Sequence, residues 1–404
     1  MNKMRLGLTN GGLSRRAALA GLALAPCVAR AQPAPIRVGG TLPLTGPLAS
    51  IGAVHKIAAE AFVAEANQAG GVLGRKLEWV LLDDQSQASG TRTLYEKLVT
   101  SEKVDLLMGP YGTSSILAAM GVAARYGKLF IQSSLGDPTL ATYDRQFPAL
   151  PLGPNPKLTD SEVLFDAWAA TPTPPRTVAI VTSKFPSTLD LAGGARQVAA
   201  QRGLAVPLYL EYEFGTRDFG AIAARVKDAG ADLLWMGCIG LEGSQFLEAA
   251  KRLDYAPPRQ FYLFPATGPL AANPAAEGAT SLTWFEGHAP FTANAGAAAF
   301  IAAYDGRARA ASLAWPHVDY QAAAEFAAWQ ILAAAITATG GTDDNAMAAW
   351  LKANAVPTVL GRQSFEGKNN SGPAKTLVRQ LQGGQWVAVF PEPFRPPGGA
   401  FHAA

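Results

Sequence analysis

The sequence predicts an α/β protein of two doubly wound, parallel-sheet lobes. Short apolar runs of strand length alternate with longer segments whose apolar residues recur at helical spacing. The runs are apolar throughout rather than every second residue, which marks strands covered on both faces and hence paired in parallel. The chain of 404 residues exceeds one ordinary domain. The proline-rich stretch Pro148 to Pro156 interrupts the first set of alternations where a boundary belongs.

At the N-terminus, Ser14-Arg15-Arg16 precedes an apolar run from Ala17 to Val28, and Ala29-Arg30-Ala31 supplies the small residues after which a signal peptidase cuts. The apolar run is shorter than the about 20 residues a membrane span needs. Residues 1–31 are therefore expected to be a cleaved export signal of the twin-arginine type, with a soluble product starting near Gln32. Cys27 offers a lipid-attachment alternative, which Pro26 disfavours. The segment holds Lys3, Arg5, Arg15, Arg16 and Arg30 and no acid, so the formal charge of +3 becomes −2 without it. No basic excess remains to attract nucleic acid. Cys238 is then the last cysteine, so no internal disulfide can form. Its apolar run, Leu233 to Gly237, makes it a small core residue.

Strands are expected at Ile36–Leu42, Leu77–Leu82, Val104–Met108, Leu129–Gln132, Val178–Val181, Leu208–Tyr212, Leu233–Gly237 and Gln260–Phe264. Between them, Ile57, Ala61 and Ala64 share one helix face, as do Val163, Leu164, Ala167 and Trp168. Phe219, Ile222, Ala223 and Val226 form a third stripe, and Phe246, Leu247, Ala250 and Leu253 a fourth. Val318 to Ile336 is a long Ala-rich helix stopped by Gly340-Gly341, and Asp343 or Asp344 caps another through Lys352. Gln363–Phe365, Thr376–Gln380 and Gln385–Phe390 read as strands, the last two joined by a Gly383-Gly384 turn. Pro391 to Pro397 reads as a loose tail.

Two segments carry a resemblance. One is the strand and turn Ile36-Arg37-Val38-Gly39-Gly40-Thr41-Leu42-Pro43-Leu44-Thr45-Gly46-Pro47. The other is Asn67-Gln68-Ala69-Gly70-Gly71-Val72-Leu73-Gly74-Arg75-Lys76-Leu77-Glu78, running on to Asp83-Asp84. In wording and order this β-α-β unit closely resembles the start of the substrate-binding proteins of branched-chain amino acid type ABC importers, the Leu/Ile/Val-binding family. The likeness extends over about residues 36–393 and implies the type I periplasmic binding protein fold, two lobes joined by three crossings. Lobe one would be 36–150 plus 286–358, lobe two 151–285 plus 359–393, and 394–404 a loose tail. It further implies a monomer without cofactor that captures a small molecule between the lobes and delivers it to a membrane permease. A crevice at the carboxyl ends of the strands is also where open α/β sheets bind ligands.

Candidate site residues follow strand ends. In Met108-Gly109-Pro110-Tyr111-Gly112-Thr113-Ser114-Ser115, glycine admits close approach, and hydroxyls and amides at a helix N-terminus suit a carboxylate. The same residues would also serve as an ordinary helix cap worth about 1 kcal/mol. The resemblance favours binding through Tyr111, Gly112, Thr113 and Ser114. It places Ser134 and Gly136 of Gln132-Ser133-Ser134-Leu135-Gly136-Asp137-Pro138 against the ligand, with Gly136 in place of the usual threonine. Ile51 falls where amino acid binders often carry an aromatic residue. In lobe two the likeness points to Phe185, Ser187, Ile239 and Ala266. Ala266 stands where an acidic side chain usually pairs with an α-ammonium. A buried ammonium without a partner is costly, so the expected ligand is a carboxylate with an otherwise apolar body. Glu242 and Asp190 remain as acids without an assigned place.

Enzyme readings are weaker. His55, His288, His317 and His402 lack metal-type partners at helical spacing, and no nucleophile elbow, phosphate loop or dinucleotide fingerprint is present. Asp83 and Asp84 are strand neighbours facing opposite ways, unsuited to joint acid–base work. The competing class is a ligand-sensing receptor of the same two-lobed fold.

Overall fold

The first sheet has five strands: β1 (Ile36–Leu42), β2 (Leu77–Asp83), β3 (Leu106–Met108), β4 (Phe130–Gln132) and β5 (Gln146–Pro148). Their order is β2-β1-β3-β4-β5, parallel throughout. The crossovers include α1 (Ala49–Gln68), α2 (Ala88–Thr100) and α3 (Thr113–Tyr126). The order reverses between β1 and β3, so the connections after these strands leave in opposite directions and open a crevice. This computed structural model describes Met1, Gly7 and residues 33–402. The expected export signal, with Arg15, Arg16, Cys27 and the Ala31 cleavage point, lies outside the described residues. Met1–Ala34 and Pro35–Ala404 are separate units, and every element named belongs to the second.

The second sheet repeats the arrangement. Helix α4 (Pro156–Ala169) leads into β6 (Thr177–Ser183), α5 (Pro186–Gln201), β7 (Ala205–Tyr212), α6 (Gly220–Ala229) and β8 (Leu233–Gly240). Then come α7 (Glu242–Arg252), β9 (Gln260–Pro265), α8 (Thr267–Ala271) and β10 (Thr280–Thr283). Strands β7-β6-β8-β9-β10 lie in parallel, with their own reversal between β6 and β8. The chain then returns to the first lobe. Helices α9 (Ala297–Ala310) and α10 (Tyr320–Thr339) pack on α1, and α11 (Asp344–Ala353) packs on α10. After the small hairpin β11 (Val356–Thr358) and β12 (Gly361–Gln363), it crosses back as β13 (Leu377–Gln382) and β14 (Gln385–Phe390). This last hairpin joins β10 antiparallel, so the second sheet is mixed at one edge.

Helix α10 is apolar and long enough to cross a membrane by composition, yet Tyr320 to Trp329 are all buried in the fold. Asp319 caps it, accepting from the amides of Gln321 and Ala322, and Gly340 ends it at a φ of 70°, a left-handed conformation that glycine adopts without penalty. Asp343 caps α11 through the Ala346 amide. β5 and β10 were not expected as strands. β5 ends on Pro148 at the sheet edge, where a missing N–H is tolerated. β10, Thr-Ser-Leu-Thr, is polar yet wholly buried. Its hydroxyls find carbonyls, Thr280 at Gln260 and Thr283 at Phe285, which removes the penalty of burying them.

The C-terminal segment departs from the loose tail expected of it. Phe394 stacks near Phe291 with ring centroids 5.7 Å apart, and Phe401 lies 4.7 Å from Trp168. The His402 amide donates to Gln380 at 2.9 Å. Aromatic residues spaced along an otherwise proline-rich tail give it an apolar surface to bury.

Candidate functional site

The two order reversals face each other, and their strand ends supply one central cavity. It is lined from lobe one by Tyr111, Gly112 and Thr113 after β3, by Ser133, Ser134 and Gly136 after β4, and by Leu150. His55 of α1 and Tyr320 and Gln321 at the start of α10 complete that side. From lobe two come Ser187 at the start of α5, Ile239 at the end of β8 and Phe264 at the end of β9. The cavity volume is about 20 Å³, room for about one water. The lobes touch around it: a Cβ on Gly136 would lie 2.9 Å from the Phe264 ring and 3.0 Å from Ser187. A Cβ on Gly112 would lie 3.4 Å from the Phe185 ring.

Each lining segment is held from below. Asp83 accepts from the amides of Leu44, Thr45 and Gln85, and Asp84 from the Thr41 hydroxyl at 2.7 Å. The two carboxylates thus fix the turn after β1. The buried Gln132 side chain accepts from the Ser134 and Leu135 amides and shapes the turn after β4. The Ser134 hydroxyl accepts from Gly112 N at 3.1 Å and ties that turn to the loop after β3. Thr113 Oγ1 accepts from Gly136 N at 3.4 Å.

The capping alternative is excluded for α3. Its N-terminal boundary residue is Gly112, at a φ of 87°, and no side chain caps the helix. The first-turn amides of this 14-residue helix are therefore available to an anion, where the helix dipole favours negative charge.

The central cavity gathers Tyr111, Gly112, Thr113, Ser134, Gly136, Ser187 and Ile239. Ile51 and Ala266 are not on its wall. They line a neighbouring cavity of about 100 Å³ with Asp319 and Trp315, which shares Gln321 with the first. Phe185 packs on Phe214 and over Gly112, and Ser114 is half-buried in the first turn of α3. Neither lines the central cavity.

The two unassigned acids also lie elsewhere. Asp190 pairs with Lys157 at 2.5 Å. Glu242 is buried against the Ile239 amide, the Tyr212 hydroxyl and the Ser183 hydroxyl. Burial pushes its carboxyl up to about 7 against these hydrogen bonds. It borders a third cavity of about 310 Å³, which shares Ile239 with the central one. Cys238 is fully buried, and burial pushes its thiol up, so it has the character of a core residue.

Residues that sequence reasoning did not assign to the site form one wall. His55 Nδ1 lies 3.2 Å from Glu325 Oε2. The Ser133 hydroxyl donates to the same oxygen at 2.7 Å, and Trp329 Nε1 donates to Glu325 Oε1 at 3.0 Å. The available signal was Glu325, the one charged residue in the otherwise apolar α10; His55, beside Lys56 in α1, gave none. Tyr320 and Gln321 are positioned by a second buried network. Thr267 donates to Asp319 at 2.6 Å, Arg379 meets Glu286 at 3.4 Å, and its guanidinium lies 5.1 Å from the Tyr320 ring centroid.

Two switch-point sheets closing on a cavity of hydroxyls, helix amides and apolar walls define a two-lobed ligand-binding protein. Residues 35–385 match the periplasmic binding protein family, and the chain belongs to it. Leu/Ile/Val-binding protein homolog 1 of Brucella melitensis is 27% identical over 227 residues, 55% of this chain. The match spans 60% of that relative, less than two thirds of its length. Among solved structures, the leucine-binding protein LivK of Thermotoga maritima superposes with a TM-score of 0.76 at 16% identity, covering 87% of this chain and 97% of that one. A solute-binding protein of an ABC transporter from R. palustris, solved in complex with benzoate, gives 0.74 at 21% identity, covering 88% and 95%.

Proposed function

We propose that this protein is the periplasmic solute-binding component of an ABC importer. It captures a small carboxylate with an apolar body between its lobes and hands it to an inner-membrane permease. It performs no chemistry on the ligand, and it reaches the periplasm through the export signal in residues 1–31. The carrying observation is the makeup of the central cavity. Tyr111, Leu150, Ile239 and Phe264 supply apolar walls around the uncapped end of α3 and the Thr113 hydroxyl, and no carboxylate side chain lines it. An α-ammonium there would have no charged partner, whereas a carboxylate meets helix amides. The benzoate complex of the R. palustris neighbour supports the aromatic-acid reading. The leucine-binding name of the LivK neighbour keeps amino acids as the comparison to test. With about 20 Å³ inside, a ligand of this size requires the lobes to part and close again.

Native mass spectrometry of the purified protein reads any co-purified ligand directly. A thermal-shift panel of amino acids against aromatic and aliphatic acids decides the class. Stabilisation by amine-free acids is the expected result. Stabilisation by leucine or valine alone overturns the reading.

A further inference from the structure

The cavity wall holds two buried polar atoms without a partner in the protein, His55 Nε2 and Gln321 Oε1. Both residues are buried, His55 fully and Gln321 with 5% of its surface exposed. Buried polar atoms are nearly always satisfied, and an unsatisfied one is destabilising. Among the described residues, these are the two unpartnered atoms whose side chains line the central cavity.

Their surroundings fix what they require. Glu325 can only accept from the imidazole, so His55 Nδ1 carries the proton there. Nε2 is then the ring nitrogen left without a protein partner. The ring is locked in place, edge-on to Tyr111 at 4.9 Å and backed by Ser133 3.4 Å from Nδ1. Gln321 directs its amide N–H toward the Pro265 carbonyl at 3.5 Å, which leaves Oε1 as an acceptor. Its backbone is held by the Asp319 cap at 3.0 Å.

We propose that His55 and Gln321 form a second polar anchor, which hydrogen-bonds hydroxyl groups on the ligand. This rests on the carboxylate reading of the same cavity and narrows it to hydroxylated carboxylic acids. The carboxylate sits on the α3 end, and the hydroxyls on the part of the same lobe-one side formed by His55 and Gln321. A hydroxyl fits better than an ammonium because it costs far less to desolvate. The neighbouring carboxylates are already engaged, Glu325 by His55, Ser133 and Trp329 and Asp319 by Thr267 and the α10 amides.

Titration calorimetry with benzoate, 4-hydroxybenzoate and 3,4-dihydroxybenzoate tests this on the full mature chain. The wild type should bind at least one hydroxylated acid about tenfold or more tightly than benzoate, since benzoate leaves a buried acceptor unpaired. In His55→Asn, whose amide keeps a donor for Glu325, and in Gln321→Leu, that ratio should fall toward one in at least one variant. Thr113→Ala should weaken all three acids and keep the ratio. Equal affinities in the wild type, or a preference that survives both variants, overturns the anchor while leaving the carboxylate reading intact. If none of the acids binds and an α-amino acid does, both readings fall. Gln321→Leu, on a helix end already capped by Asp319, keeps the test decisive if His55→Asn does not fold.

Discussion

Gly136→Ala probes lobe closure directly. An added Cβ would lie 2.9 Å from the Phe264 ring and 3.0 Å from Ser187 Cβ, where unstrained carbon contacts sit at about 3.5–4.0 Å. Both neighbours must then retreat by about half an ångström or more. Phe264 ends β9 and Ser187 begins α5, so both belong to the opposing lobe and moving them together means opening the cleft. Gly136 does not have positive φ, so alanine adds no backbone strain of its own. Overpacking of this kind costs about 1–3 kcal/mol, and it acts on the closed form, because an open cleft leaves the methyl in water. Apparent affinity falls with the population of the competent state, so Kd should rise by about 5- to 150-fold. Titration calorimetry with the acid that gives the largest thermal shift reads Kd, and small-angle scattering at saturation reads compaction. Wild-type Kd and wild-type compaction in Gly136→Ala would refute the closure geometry.

Thr113→Ala should weaken carboxylate binding by about ten- to a hundredfold, the worth of one hydrogen bond to a charged group. An unchanged Kd would remove Thr113 from the site. The fold should also show a specific pH dependence. Burial pushes Glu242 and Glu286 up to about 7 and Asp160 up to about 8. Each then keeps its proton in the folded chain where the unfolded chain has lost it. This stabilisation is full below about pH 4 and is lost as pH rises through about 7–8. Calorimetric Tm should fall between pH 5 and pH 9, less steeply in Glu242→Gln, and a rising Tm would contradict the burial argument. Small-angle scattering of the wild type should show compaction on adding a bound acid. N-terminal sequencing of periplasmic material should begin at Gln32, and a start at Met1 would sink the export proposal.

Local sequence determined most of the architecture. β1 and β14 run as expected from their apolar patterns, and Gly340 and Asp343 mark helix ends as their chemistry requires, because strand burial and capping are set by neighbours in the chain. The loops after β3 and β4, glycine and hydroxyl residues at strand–helix joints, were legible for the same reason as segments that line the central cavity. Tertiary structure decided the rest. Thr113 by its local motif suited a helix cap, and only the fold shows α3 uncapped. Ala266 and Ile51 were assigned by the resemblance, and the fold puts them with Trp315 and Asp319 on the wall of a neighbouring cavity. His55, Ser133 and Glu325 are distant in sequence and meet because α1 and α10 pack together and α10 packs on β4. No local pattern encodes that meeting. A buried polar wall is made by long-range contacts whose partners are selected by how the helices pack, so its identity emerges after the chain has folded.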